Sequence, residues 1–206
     1  MQQQLQTGYA RIVNMRVVTF DIETISNSPV LGRVDVNEQE LTVVGIHDSE
    51  TGEYSSYLKE DLPKLWSILE RTDMLVGFNS DYFDIPLLNR YYPGDLTKIK
   101  SLDLLSEVYK SLGRRIRLDT LAQATLGRGK TGEGLKAMTW WREGLYDKVR
   151  EYCVEDVRIT RDLYDYALKN KTLKYKDLRE IRDIKLDTSK WETPPEQASL
   201  THTLPF

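Results

Sequence analysis

The sequence predicts an α/β domain: a mixed five-stranded sheet flanked by helices. Three observations carry that class. Met15 to Ile22 (MRVVTFDI) is β-branched and apolar on both faces, the pattern of a central strand. Two more strand-like segments follow it across a turn-rich stretch. Beyond them, helical stripes and short apolar strands alternate before the chain becomes mainly helical, an order that builds a layered α/β core.

Taken in turn, Leu41 to His47 and Glu53 to Leu58 flank Asp48-Ser49-Glu50-Thr51-Gly52 and complete an antiparallel meander with the first strand. Asp61 offers an N-cap with Pro63 in the first turn. Leu62, Leu65, Trp66 and Leu69 then recur at helical spacing. Met74 to Phe78 reads as a short buried strand, Ile85 to Tyr92 as a helix, Lys98 to Leu102 as the fifth strand, and Asp103 to Leu112 as another helix. Helical sequence continues to Lys169, interrupted by the glycine-rich Gly127 to Gly134. Leu173 to Leu186 suits either a hairpin or a charged helix. Thr193 to Phe206, polar and carrying three prolines, reads as a tail ordered only where it docks. The expected division is a catalytic-size domain over 1–170 and a charged C-terminal extension over 171–206.

The 206 residues suit one domain, and a globule of that size buries about 70% of its unfolded surface. Lys and Arg number 29 against 32 Asp and Glu, a net charge of −3, which excludes a uniformly basic coat for duplex DNA. The single Cys153 allows no disulfide within the chain, and with His47 and His202 it cannot make a four-ligand zinc site. No signal-peptide pattern and no membrane-length apolar run is present, so a soluble cytoplasmic protein is expected.

Candidate chemistry lies in acidic residues on three elements. Asp21 and Glu23 are i and i+2 on a strand and share a face, where paired carboxylates repel unless a cation intervenes. A solvated strand end is the plain alternative. Asp84, after the polar turn that follows Phe78, is placed either to cap the next helix or to face the same centre. Tyr152 and Asp156, stacked at i and i+4, fall on the apolar stripe of a long helix, while Arg150, Arg158 and Arg161 lie on its other faces. An inward carboxylate is costly unless it is paired or bound to metal. Four carboxylates without nearby His or Cys select Mg²⁺ or Mn²⁺, and two such ions would make a phosphodiesterase.

These residues resemble a known pattern. Phe20-Asp21-Ile22-Glu23-Thr24, Asn79 to Asp84 (NSDYFD) and Tyr152-Cys153-Val154-Glu155-Asp156 resemble, in order, the three motifs of the DEDD 3′–5′ exonucleases. Tyrosine rather than histidine in the third places the likeness in the DEDDy branch, near the proofreading domain of family B DNA polymerases. The resemblance spans Arg16 to Lys169. It implies a ribonuclease-H-like fold and two divalent cations, with Asp21 bridging them, Glu23 and Asp156 at the water-activating ion, and Asp84 at the second. Tyr152 would position the attacking water, and nucleoside 5′-monophosphates would leave single-stranded 3′ ends, DNA ahead of RNA.

Around this centre Thr24, Phe78, Asn79, Arg114, Arg115, Arg117 and Lys130 are candidate substrate contacts. The three arginines and Lys130 belong to a basic stretch from Ser111 to Lys136, which a solvated surface would also explain. Phe78, Tyr82, Trp140 and Trp141 could stack bases, though core packing suits most of them better. Asp103 reads as a cap and Asp119 as a surface charge. Gly127 to Gly132 spells G-x-G-x-x-G, but it follows a helix and is set aside as a dinucleotide loop. The rival readings are a noncatalytic binder of nucleic-acid ends, a metal-dependent endonuclease and an aspartyl phosphatase. The last prefers Asp-x-Asp over Asp21-x-Glu23.

Overall fold

A computed structural model describes residues 15–26, 35–129 and 134–193, with 134 and 135 as backbone alone. Strands β1 (Val17–Ser26), β2 (Gln39–Asp48) and β3 (Glu53–Leu58) form an antiparallel meander. Strands β4 (Met74–Gly77) and β5 (Lys100–Asp103) continue the sheet in parallel from the other side of β1. The order β3-β2-β1-β4-β5 makes a mixed five-stranded sheet with β1 at its centre. Helices α1 (Leu62–Leu69), α2 (Asp84–Asn89), α3 (Leu104–Leu112), α4 (Leu118–Leu126), α5 (Gly134–Arg142) and α6 (Tyr146–Asn170) flank it. None of the described helices is long and apolar enough to cross a membrane.

Alternation along β1 divides the core. Val18, Phe20 and Ile22 pack with Leu65 and Leu69 of α1 and Leu87 and Leu88 of α2. Val17 faces the opposite side, with Ile159 and Leu163 of α6 and Val108 of α3. Asp21 and Glu23 therefore point toward α6. At 25 residues that helix is about 37 Å long, and it lies across β1 and β2.

Glycine at 45 sets how closely α6 approaches. Gly45 pairs with Asp21 in the β1–β2 register. A Cβ there would stand 3.0 Å from the Cys153 sulfur and 3.1 Å from Val157 Cγ2. Without it, one helical turn rests directly on the sheet beside Asp21.

Several boundaries differ from expectation for local reasons. β1 runs four residues past Ile22 because β2 keeps pairing with it as far as Ser26 opposite Gln39. β5 begins at Lys100, since Leu96–Lys98 form a 3₁₀ turn whose Thr97 N–H donates to the Asp95 carboxylate. Asp61 caps nothing with its side chain and instead bonds Lys64 at 2.6 Å. Gly127 ends α4 in the left-handed region at φ 71°, the ordinary work of a helix C-terminal glycine.

Leu173 to Leu186 is a hairpin, β6 (Thr172–Asp177) with β7 (Glu180–Lys185). Its inward residues Leu173, Tyr175 and Ile184 have period two and join the α4–α6 core. After β7, Trp191 stacks on Tyr164 of α6 at 5.9 Å. Lys100 donates to the carbonyls of Lys190, Trp191 and Thr193 at 2.8–2.9 Å. The remainder of the expected tail, 194–206, lies outside the described residues.

Candidate metal centre

The site lies where β4 ends and β1 continues. β1 pairs with β4 only over Val17 to Thr19, so beyond Gly77 β4 no longer covers the strand edge at Asp21 to Glu23. Such carboxyl-end openings are where sheets of this kind bind ligands. A β-bulge falls between Glu23 and Thr24, and bulges recur beside active sites because they re-aim side chains. Thr42 Oγ1 donates to the Glu23 carbonyl at 2.8 Å and Thr24 Oγ1 donates to Gln39 Oε1 at 3.0 Å, holding the bulged backbone.

Asp156 of α6 reaches this edge. Carboxylate oxygens of Asp21, Glu23 and Asp156 lie within 4.8 Å of one another, and Asp156 is only 3% exposed. The arginines of α6 are engaged elsewhere: Arg150 with Asp61, Arg158 with Glu155 and over the Tyr54 ring, and Arg161 with Asp165. Cys153, one turn before Asp156, donates from its sulfur to the Asp21 carbonyl at 3.4 Å. Burial and the nearby acids push its thiol well above the usual range, so it stays a neutral packing group. Tyr152 stands one turn before Asp156 on α6, its ring edge-on to Trp140 at 6.1 Å.

Asp84 opens α2 directly after an irregular turn. A Cβ on Gly77 would collide with Ser80, so glycine is required for the chain to double back there. Asn79 adopts φ 67°, a left-handed conformation. Asp103 holds the turn: one carboxylate oxygen accepts the Asn79 N–H at 2.8 Å and the other accepts the Asp81 N–H at 3.3 Å. The same side chain caps α3 through the N–H of Leu105 at 2.9 Å. Its sequence reading as a cap is right and incomplete, because the clamp on the turn comes from a contact 24 residues away.

Asp84 does not occupy the expected cap position. Phe83 occupies the N-cap position of α2, and Asp84 is the first helical residue. The Asp84 carboxyl is buried at 6% exposure. Burial, with the negative charge of Asp103, pushes its pKa up to about 7 against the pull of its own and the Ile22 backbone N–H groups. It lies outside the close trio and faces the backbone between Asp21 and Glu23.

A cavity of about 620 Å³ adjoins this turn, lined by Thr24, Gln39, Asn79, Phe83, Arg115 and Met138 among others. The other candidate contacts fare differently. Phe78 packs into the α3–α6 core rather than lining the cavity, and Trp140 and Trp141 pack against α6. Arg114 turns away to Asp177 at 3.5 Å and the Tyr175 ring at 4.9 Å. Arg117 is exposed at the N-terminal end of α4. Lys130 lies outside the described residues. Asp119, expected as a surface charge, is half-buried with one oxygen enclosed, because the hairpin packs over α4. Gln39 and Met138 carried no sequence signal and reach the cavity only through the fold.

The chain matches the model of the RNase H superfamily over residues 18–168. It belongs to that superfamily. A solved structure with the same fold is the family B DNA polymerase of the hyperthermophilic archaeon Pyrobaculum calidifontis, with TM-score 0.57 and 20% identity over 75% of this chain. The chain spans only 24% of that polymerase. No curated protein matches it. RNase-H-like nucleases use divalent metals, and this member's residues fit them: three hard-oxygen donors converge from two elements, with Asp156 buried and Asp21 and Glu23 half-buried.

Proposed function

We propose that this RNase H superfamily nuclease is a two-metal-ion 3′–5′ exonuclease that releases nucleoside 5′-monophosphates from single-stranded DNA or RNA. The convergence of Asp21, Glu23 and Asp156 within 4.8 Å carries the reading. Bound Mg²⁺ or Mn²⁺ would supply an acidified water and neutralise charge on the phosphate. Asp21, Glu23 and Asp156 would hold the ion that activates water, with Asp21 shared between two ions, and Asp84 would serve the second. Tyr152 orients the attacking water. It acts by hydrogen bonding.

Water attacks the terminal phosphorus in line, the bond to the upstream 3′ oxygen breaks, and that oxygen leaves as a hydroxyl after taking a proton from solvent. The cavity beside Thr24 and Asn79 holds the terminal nucleotide, with Phe83 and Met138 as its apolar wall. Arg115, Arg117 and Lys130 draw in the strand, while Arg114 supports this surface through the hairpin. The superfamily match ends at 168, which supports reading 171–206 as an addition to a catalytic unit over 1–170.

The test is incubation with 5′-labelled single-stranded DNA and RNA in Mn²⁺ and in EDTA, beside Asp21→Ala. A metal-dependent ladder shortening from the 3′ end, absent in the variant, is the expected result. Internal cuts would instead mean an endonuclease. Intact substrate throughout, with folded protein, would mean a noncatalytic binder.

A further inference from the structure

Arg114 and Arg115 are neighbours in the linker between α3 and α4, and their side chains diverge. Arg114 stacks on Tyr175 and pairs with Asp177, fixing the linker to the hairpin. Arg115 turns the other way, contacts Oδ1 of Asn79 and lines the cavity beside the acidic centre.

Charge pairing separates Arg115 from its neighbour. Arg114 faces the Asp177 carboxylate, whereas the partner of Arg115 is a neutral amide oxygen. A guanidinium carries five donors in a fork that matches two phosphate oxygens, and an amide oxygen leaves most of them unused. Asn79 cannot follow a moving partner, because its left-handed backbone is tied to Asp103. The cavity that Arg115 borders is lined by none of Asp21, Glu23, Asp84 and Asp156, so a phosphate on Arg115 is a different one from the phosphate at the carboxylates.

On the exonuclease reading, we propose that Arg115 binds the 5′ phosphate of the penultimate nucleotide, one linkage upstream of the scissile bond, and rests on Asn79 in the free protein. The site then recognises a strand end by two successive phosphates, one at the acidic centre and one at this arginine.

The decisive measurement is single-turnover release of the terminal nucleotide in Mn²⁺ from two single-stranded oligonucleotides. One is all-phosphodiester, and the other carries one neutral methylphosphonate at the upstream linkage. Wild-type protein should release the terminal nucleotide at subsaturating enzyme about 30-fold more slowly from the methylphosphonate strand, the worth of one charge-assisted contact. Arg115→Ala should be slowed by a similar factor on the ordinary strand and show no further loss on the modified one. Arg115→Lys should recover part of the rate.

Wild-type indifference to the methylphosphonate overturns the assignment, as does an Arg115→Ala protein that remains as sensitive to it as wild type. Should Arg115→Ala misfold, the wild-type comparison alone decides. Wild-type protein inert on the ordinary strand overturns the exonuclease reading itself.

Discussion

The two halves of the proposed centre are built in different ways. Asp21, Glu23, Tyr152 and Asp156 stand on a strand and a long helix, where period two and i, i+4 spacing place side chains without outside help. Asn79 stands on, and Asp84 directly follows, a turn whose backbone depends on Gly77, on a left-handed Asn79 and on the carboxylate of Asp103. The first half takes its precision from the regularity of its elements and from the Gly45 contact that sets α6 on the sheet. The second takes its precision from one distant side chain. A site built both ways should fail differently when each half is disturbed.

The largest effect is expected in the regular half. Asp156→Asn should lower kcat at least a thousandfold, about 4 kcal/mol of transition-state stabilisation, while the variant still folds. In EDTA its Tm should equal or exceed that of wild type, since one of three crowded carboxylates is gone. Near-normal turnover would remove α6 from the centre.

Asp103→Ala tests the turn half. Losing the acceptor for the Asn79, Asp81 and Leu105 N–H groups should cost about 1–2 kcal/mol of stability and, as loss of a supporting residue, roughly 10- to 100-fold in activity. Denaturant melts and steady-state rates separate the two. Unchanged activity in a destabilised protein would show that the turn is scaffold only.

Gly45→Ala probes the spacing of α6. Its Cβ must push Cys153 and Val157 by a few tenths of an ångström. We expect activity to fall about tenfold with a stability loss of about 1 kcal/mol. Loss of both in proportion would mean that the helix tolerates no shift at all, and that packing rather than ligand geometry is what the glycine protects.

The smallest effect is a pH dependence confined to the turn half. Asp84 has a folded pKa of about 7 without metal, above its ordinary 3.8. Its protonated form is therefore favoured by folding. That contribution is complete below about 3.8 and is lost as pH rises through 7. In EDTA, the Tm of wild type minus that of Asp84→Asn should thus fall between pH 5 and pH 8.5, and adding Mn²⁺ should flatten or reverse the trend. His47, buried and with its pKa lowered by desolvation, works in the opposite direction as pH drops below 6.5, which is why the difference between variants is the quantity to measure. A flat difference would mean that Asp84 is solvated and ionised.

Much of this was legible from local pattern. β3 matches its expected Glu53–Leu58, and the meander, α1, α3 and the long last helix appear in their expected places, because each rests on spacing within a short window. The hairpin was ambiguous because its alternation becomes decisive only when Leu173 and Ile184 find α4 and α6 to pack on. The basic stretch divides in the fold for a related reason. Arg114 looks like Arg115 until Asp177, 63 residues away, claims it.

By itself the sequence determined the fold class and which residues share a face, since periodicity is a property of the chain alone. It also determined the acidic character of the centre. Tertiary structure decided how close those faces come: it seats α6 on Gly45 so that Asp156 meets Asp21 and Glu23, and it buries Asp84 far enough to raise its pKa. It also gave Arg114 a carboxylate and left Arg115 facing the cavity. Distances, burial and charge pairing between remote residues arise only when elements pack, because each depends on the position of an atom that the local sequence does not contain.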